Sequence, residues 1–480
     1  MELQNKIMLI TYADSLGKNL SELSDALDKY FAKALGGLHI LPFFPSSGDR
    51  GFAPTRYDLV DPAFGDFSDI RVLSKKYCLM FDFMVNHISR QSAYFKDYLE
   101  KGKDSPWRDL FLDWDAFWPP GRPTAEDVDV IYKRKPKAPV QEVTFADGSK
   151  GEVWCTFSDE QIDLDVRTDV TRRFIADTIA SMCQNGAGLI RLDAFAYAVK
   201  KPGTSCFFVE PEIWELLGWI GSLAAPLGAA LLPEIHEHYS IQLKLAEKGY
   251  WVYDFALPML VLHALYTGRG DRLRHWLDIC PRRQFTTLDT HDGIGVVDVA
   301  DLLTPEEIDQ TKELLFAKGA NVKKKYNTAA YNNLDIYQIN CTYYSALGDN
   351  DQAYLLARAI QFFAPGIPQV YYVGMLAGKN DIELLERTKE GRNINRHGYT
   401  LKELERETAR PVVRQLLDLM AFRNTCPAFA LDGEIETRTD GSRFCIIRRA
   451  GGVTTRLDAD LKTHAFSIEE TRDGETRRVL

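Results

Sequence analysis

Three carboxylates recur at matching places along the chain: Asp193 in RLDAFAYA, Glu234 in LLPEIHEHY and Asp292 in TTLDTHDGIG each lie at the polar end of a short apolar run. Breaking or making a glycosidic bond passes through an oxocarbenium-like state. That state needs a carboxylate at the anomeric carbon and a protonated carboxyl at the leaving oxygen. A third carboxylate can stabilise the developing positive charge. Each acid alone could equally cap the turn or helix that follows a strand, so it is the repetition that points to sugar chemistry.

The neighbours of each acid sharpen its role. Arg191 and Asp193 are two apart, so on an extended strand they face the same side, and the guanidinium is expected to hold the carboxylate ionised, as a nucleophile must be. A barrel-interior ion pair explains the same spacing. Glu234 and His236 share a face if the strand continues that far, while Glu237 points away. Burial beside an ionised Asp is expected to raise the pKa of Glu234 and suit it to general acid and base work. The EIHEH cluster also admits a metal reading, but it lacks the helical spacing of zinc proteases. Asp292 follows His291 at the end of its run, with Asp289 as the competing carboxylate. In DFMVNH, Asp82, Asn86 and His87 close another run, and His87 reads either as a ligand for a sugar hydroxyl or as a core histidine.

Something must bring these residues together. Eight apolar runs of strand length occur at 7–11, 37–43, 79–85, 188–195, 230–236, 250–255, 285–292 and 367–373. Helical patterns such as LSELSDALDKYFAKAL, VTRRFIADTIASMC and DQAYLLARAIQFFA alternate with them. The alternation predicts an α/β fold, a (β/α)8 TIM barrel, whose chemistry is carried at the C-terminal strand ends. Long gaps after the third and seventh strands predict inserted modules. The expected organisation is a barrel from 1–87, 168–292 and 349–428, an inserted B module at 88–167, a second insertion at 293–348 and a small antiparallel C-terminal β domain at 429–480.

Composition narrows the partners. The net charge of −10 and pI near 5.5 argue against nucleic acid or an anionic membrane as partner. Eight scattered cysteines without CxxC pairs read as reduced, buried thiols. The apolar stretch near the N-terminus is too short for a signal peptide and no run reaches transmembrane length, so a cytoplasmic protein is expected. An anionic substrate would need a local basic patch, and YKRKPK at 132–137 is one, although a solvated turn is the alternative.

Taken in order, MLITYADSLGKNL, LPFFPSSGDRGFAP, FDFMVNHISRQS, IRLDAFAYAVKK, TLDTHDGIGVVD, NNLDIYQINCTYYSALG, APGIPQVYYVG and GRNINRH resemble the α-amylase family of glycoside hydrolases (glycoside hydrolase family 13), and in particular its sucrose-phosphorolysing branch. The likeness spans essentially the whole chain. It implies that Asp193 is the nucleophile, Glu234 the acid and base, and Asp292 the stabiliser of the transition state. It implies substrate contacts from Asp49, Phe52, His87, Phe157, Gln161, Arg191, Tyr197, His236, His291, Asp335, Gln338 and Arg392, with Phe52 and Phe157 as the aromatic platform. Phosphate would meet Tyr132, Arg134 and Tyr337. The implied reaction is retaining phosphorolysis of sucrose to α-D-glucose 1-phosphate and fructose, by a monomer or homodimer. Alternatives are a sucrose 6-phosphate phosphorylase, a glucosidase or transglucosidase, and a non-catalytic scaffold. Many relatives bind calcium through the asparagine matching Asn86, whereas this branch resembles a calcium-free one. No cofactor and no metal are therefore expected.

Overall fold

In the computed structural model, which describes residues 3–321 and 338–480, eight parallel strands form a nearly closed barrel. We number them β1 (Met8–Thr11), β2 (Gly37–Ile40), β3 (Cys78–Met84), β4 (Ala187–Asp193), β5 (Ala230–Pro233), β6 (Val252–Asp254), β7 (Gln284–Thr286) and β8 (Ile367–Tyr371). The sheet order is β6-β7-β8-β1-β2-β3-β4-β5, so each strand pairs with its sequence neighbours and the ring is interrupted between β5 and β6. The strands are short runs of branched and aromatic residues, buried along nearly their whole length, as expected of parallel strands covered on both faces.

Helices follow the strands as the patterning predicts. The helix Asp169–Gln184 starts at Thr168, whose side chain accepts the Thr171 N–H, and buries Phe174, Ile175, Ile179 and Met182 on one face. The helix Asp351–Phe363, capped by Asn350, is buried from Ala353 to its end. An all-round buried helix has no place for an unpaired charge, and the partner of its Arg358 is described below.

The gap between β3 and β4 carries the hairpin Val140–Thr144 with Lys150–Trp154, and a two-stranded pair of His87–Ser89 with Gln161–Asp163. Leu112, Trp114, Phe117, Trp118, Ile131 and Trp154 pack with Cys206 into a separate small core. After β7, Ile294–Gly295 pairs antiparallel with Gln338–Ile339. The chain ends in a five-stranded antiparallel sheet whose strands run in sequence order from Glu434–Asp440 to Glu475–Arg478. No helix among the described residues is long and apolar enough to cross a membrane.

The sequence reading overshoots at three strand ends that matter. β5 stops at Pro233, so Glu234 and His236 are loop residues rather than neighbours on one strand face. β7 stops at Thr286, which places His291 and Asp292 in the loop beyond it. β4 ends at Asp193, two residues short of the run 188–195, which leaves the acid as its last residue.

Candidate active site

By its contacts the chain falls into two compact halves, one of them Ile40–Ile235 and the other made of Leu3–His39 and the described residues from His236 onward. In the first half, cross-strand register builds the acid cluster. Asp82 on β3 lies beside Arg191 on β4, and Leu192 lies beside Pro233 on β5. Arg191 is thereby surrounded: its Nη1 donates to Asp82 Oδ1 at 2.5 Å and to Asp193 Oδ1 at 2.8 Å, and its Nη2 lies 3.3 Å from Glu234 Oε1. The other oxygen of Glu234 accepts from the Ala194 N–H at 3.0 Å. Ala194 holds φ near +50°, a left-handed conformation that costs an alanine roughly 1 kcal/mol or more. It turns that N–H back onto the acid, a contact no residue type could have announced.

One guanidinium serves three carboxyls, of which Asp82 is fully buried and Asp193 and Glu234 are partly so. Burial pushes the Asp193 carboxyl well up, Arg191 opposes that, and Glu234 and Asp82 reinforce it. Arg191 does pull the Asp193 carboxyl down, as its spacing predicts, but burial together with Glu234 and Asp82 outweighs it. Retaining glycoside chemistry needs one of two such carboxyls protonated and the other ionised.

Around the acids, the turn Asp49–Gly51 runs through three consecutive left-handed residues, at φ 49°, 51° and 107°. A Cβ on Gly51 would stand 2.5 Å from the Pro42 carbonyl, so only glycine closes this turn. The turn delivers the Phe52 carbonyl to His87 Nε2 at 2.9 Å and to Gln161 Nε2 at 3.0 Å. Burial lowers the pKa of His87, against the pull of Asp163, so the ring is neutral. The Phe52 ring lies 5.9 Å from the Arg191 guanidinium carbon. Phe157 packs edge-on to both His87 and Tyr197, with ring centroids 5.6 and 5.1 Å apart. Tyr197 in turn meets Tyr132, Phe207 and, at 6.0 Å, the guanidinium carbon of Arg134. Phe207 escaped the sequence reading; SCFFVE carries no motif that marks it.

The basic run is weaker than its composition implies. Lys135 and Lys137 both lie on Asp159, at 3.2 and 2.9 Å, and Lys133 lies 3.3 Å from Asp129. Three of its four cations are thus compensated locally, and Arg134 alone joins the aromatic group.

Asn86 answers the calcium question. Lys200 Nζ donates to Asn86 Oδ1 at 2.6 Å and to the Tyr197 carbonyl at 2.6 Å, and lies 2.7 Å from Asp163 Oδ2. The oxygens that would hold a divalent cation already hold an ammonium, so these residues do not fit a calcium ion. The sequence contains this lysine in IRLDAFAYAVKK, but nothing there links it to Asn86.

In the second half, the loop after β7 is fixed by the run GRNINRH. Arg392 Nη1 lies 3.1 Å from Asp292 Oδ1, Asn395 Nδ2 donates to the Asp292 carbonyl at 3.0 Å, and Arg396 donates twice to the His291 carbonyl. Asp289 is removed from contention, since both of its oxygens accept from Arg358 Nη2, at 2.7 and 2.8 Å. His236 stacks on Phe255 with ring centroids 3.8 Å apart and lies 3.2 Å from Gln338 Nε2. Asp335 and Tyr337 lie outside the described residues.

Residues 11–208 match the model of the α-amylase catalytic domain. The chain is 61% identical to the sucrose phosphorylase of Streptococcus mutans over 473 residues, 98% of each protein. It is 45% identical to the sucrose 6(F)-phosphate phosphorylase of Thermoanaerobacterium thermosaccharolyticum over the full length of both. The crystal structure of sucrose 6F-phosphate phosphorylase from Thermoanaerobacter thermosaccharolyticum superposes with a TM-score of 0.94 at 44% identity, covering 100% of this chain and 99% of that one.

Proposed function

The chain belongs to the α-amylase family of glycoside hydrolases, and within that family we propose that it catalyses the retaining phosphorolysis of sucrose to α-D-glucose 1-phosphate and D-fructose. The observation that carries the chemistry is the single guanidinium of Arg191 against both Asp193 and Glu234. It orients two carboxyls from one point. Asp193 attacks C1 of the glucosyl unit as Glu234 gives its proton to the departing fructosyl oxygen, leaving a β-glucosyl ester on Asp193. A phosphate oxygen then attacks C1 from the opposite face, its proton passing to Glu234, and Asp193 leaves as the free carboxylate. Asp292, held by Arg392, is assigned the stabilisation of the cationic transition state.

The likeness to the Streptococcus mutans enzyme supports sucrose and phosphate as the substrates. Arg134, with Tyr132 beside Tyr197 and Phe207, supplies the phosphate contact in this reading, together with Tyr337; Asp49, Phe52, His87, Phe157, Gln161, His236, His291, Asp335 and Gln338 line the sugar subsites. The ammonium of Lys200 on Asn86 supports activity without a metal. A cytoplasmic monomer or homodimer completes the proposal.

The second reading, phosphorolysis of sucrose 6-phosphate, has in its favour the 45% identical relative. Pairing of Lys133, Lys135 and Lys137 with acids weighs against a second phosphate being held there. The decisive experiment follows glucose 1-phosphate and its anomeric form with sucrose, with and without phosphate, and repeats the initial rate with sucrose 6-phosphate. Glucose release independent of phosphate, or a faster rate on the phosphorylated sugar, would overturn the proposal.

A further inference from the structure

His236 is fixed on three sides by residues of its own half of the chain. Its face stacks on Phe255 at 3.8 Å and 17°. Its Nδ1 lies 3.2 Å from Asp298 Oδ2, and its Nε2 lies 3.2 Å from the amide nitrogen of Gln338. Asp298 is buried, as is His236, and its other oxygen, Oδ1, has no hydrogen-bond partner among the described residues. Gly295 makes room for this carboxylate, since a Cβ there would collide with Asp298 Oδ2. Gly295 is also the strand partner of Gln338. The strand pairing thus sets Gln338 beside the glycine that makes room for Asp298.

The chemistry of the partners decides the tautomer. An ionised carboxylate only accepts hydrogen bonds, so His236 Nδ1 carries the proton. An amide nitrogen only donates, so His236 Nε2 is the bare, accepting nitrogen. Gln338 must then turn its NH2 toward the imidazole, which leaves its carbonyl oxygen on the side away from His236. The sense of the Gln338 amide, and so whether it offers an acceptor or a donor to a ligand, follows from a carboxylate it does not touch.

We propose that Asp298 is a positioning residue for the acceptor subsite: by accepting from Nδ1–H it sets the His236 tautomer and, through it, the orientation of the Gln338 amide that meets the incoming phosphate and the departing fructose. This rests on the functional reading above, which places His236 and Gln338 at the substrate. With the carboxylate gone, the imidazole is free to carry its proton on Nε2. That proton would oppose the amide NH2 and turn the group around. Asparagine at 298 can still accept from Nδ1–H through its own oxygen, so charge and tautomer are separable.

The test compares wild-type protein, Asp298→Asn and Asp298→Ala in sucrose phosphorolysis at varied phosphate, and measures the burst of fluoride from α-glucosyl fluoride, which reports glucosylation alone. Asp298→Ala is expected to raise the phosphate KM about tenfold, with the fluoride burst within about twofold of wild type. Asp298→Asn is expected to stay within about threefold in KM, because a single neutral hydrogen bond replaces a charge-assisted one. An unchanged KM in Asp298→Ala, equal damage in both variants, or a burst lost in parallel with KM would each overturn the role. A wild-type protein that releases no phosphate-dependent glucose 1-phosphate would instead sink the functional reading, and that result is obtained before any variant is made.

Discussion

Arg191 Nη1 stands 2.8 Å from Asp193 Oδ1 and 2.5 Å from Asp82 Oδ1, so the carboxyl best placed to act as nucleophile shares its cation with a fully buried acid. Burial, Glu234 and Asp82 together outweigh Arg191 and raise the Asp193 pKa in the folded chain above its unfolded value of about 3.9. A folded state that binds the proton more tightly loses stability as pH rises from the unfolded pKa through the folded one. Asp193→Asn is expected to abolish turnover, by roughly 10^4-fold or more, and to raise the melting temperature at pH 7 by a few degrees. That gain should shrink as the pH is lowered toward 4. A melting-temperature difference that is the same at both pH values would contradict the assignment.

The contrast between what was and was not legible follows from distance along the chain. The barrel is readable because each strand is a local run of apolar residues, and β4 ends at Asp193, within two residues of the end of its run. Strand ends at β5 and β7 are not, since Ile235 and Leu288 continue the apolar pattern past the last strand residues, Pro233 and Thr286. The net upward push on Asp193 is not visible from Arg191 two residues away, because Asp82 comes from β3, 109 residues from Arg191. The run YKRKPK looked like an anion site because Asp159, which takes Lys135 and Lys137, is 22 to 24 residues further on. Composition reports charge; only the fold reports compensation.

Lys200 and Asp163 are both almost wholly buried, 2.7 Å apart. Removing one member of such a pair strands the other, at a cost of about 3–5 kcal/mol. Lys200→Met is expected to lower the unfolding free energy by that amount, read from denaturant titration, and chelators should leave the activity of the wild-type protein unchanged. Loss of wild-type activity on chelation, restored by calcium, would show that the ammonium does not stand in for a metal.

Two aspartates three residues apart in LDTHD should fail in different ways. Asp289 neutralises Arg358, which is fully buried in the helix Asp351–Phe363, so Asp289→Asn should destabilise the protein by about 3 kcal/mol or more. Its turnover per folded molecule at low temperature should stay within about fivefold of wild type. Asp292→Asn should show the reverse pattern, with turnover reduced by about 10^3-fold or more and a melting temperature close to that of the parent. Equal losses of turnover per folded molecule would mean that Asp289 takes part in the chemistry.

The last contrast lies within the basic run. Lys137 is half exposed and pairs with Asp159 at the surface, where such pairs contribute about 0–1 kcal/mol and project little field beyond themselves. Arg134, against the Tyr197 ring at 6.0 Å, is in contact with the aromatic group that includes Tyr132 and Phe157. A guanidinium in that setting can grip phosphate through two parallel hydrogen bonds. Arg134→Ala is therefore expected to raise the phosphate KM by about tenfold or more, and Lys137→Ala to change it by less than about twofold. Arg134→Lys should recover only part of the loss, because an ammonium keeps the charge without the fork. If both alanine variants raise KM alike, the run acts as a diffuse field and the arginine has no special place in it.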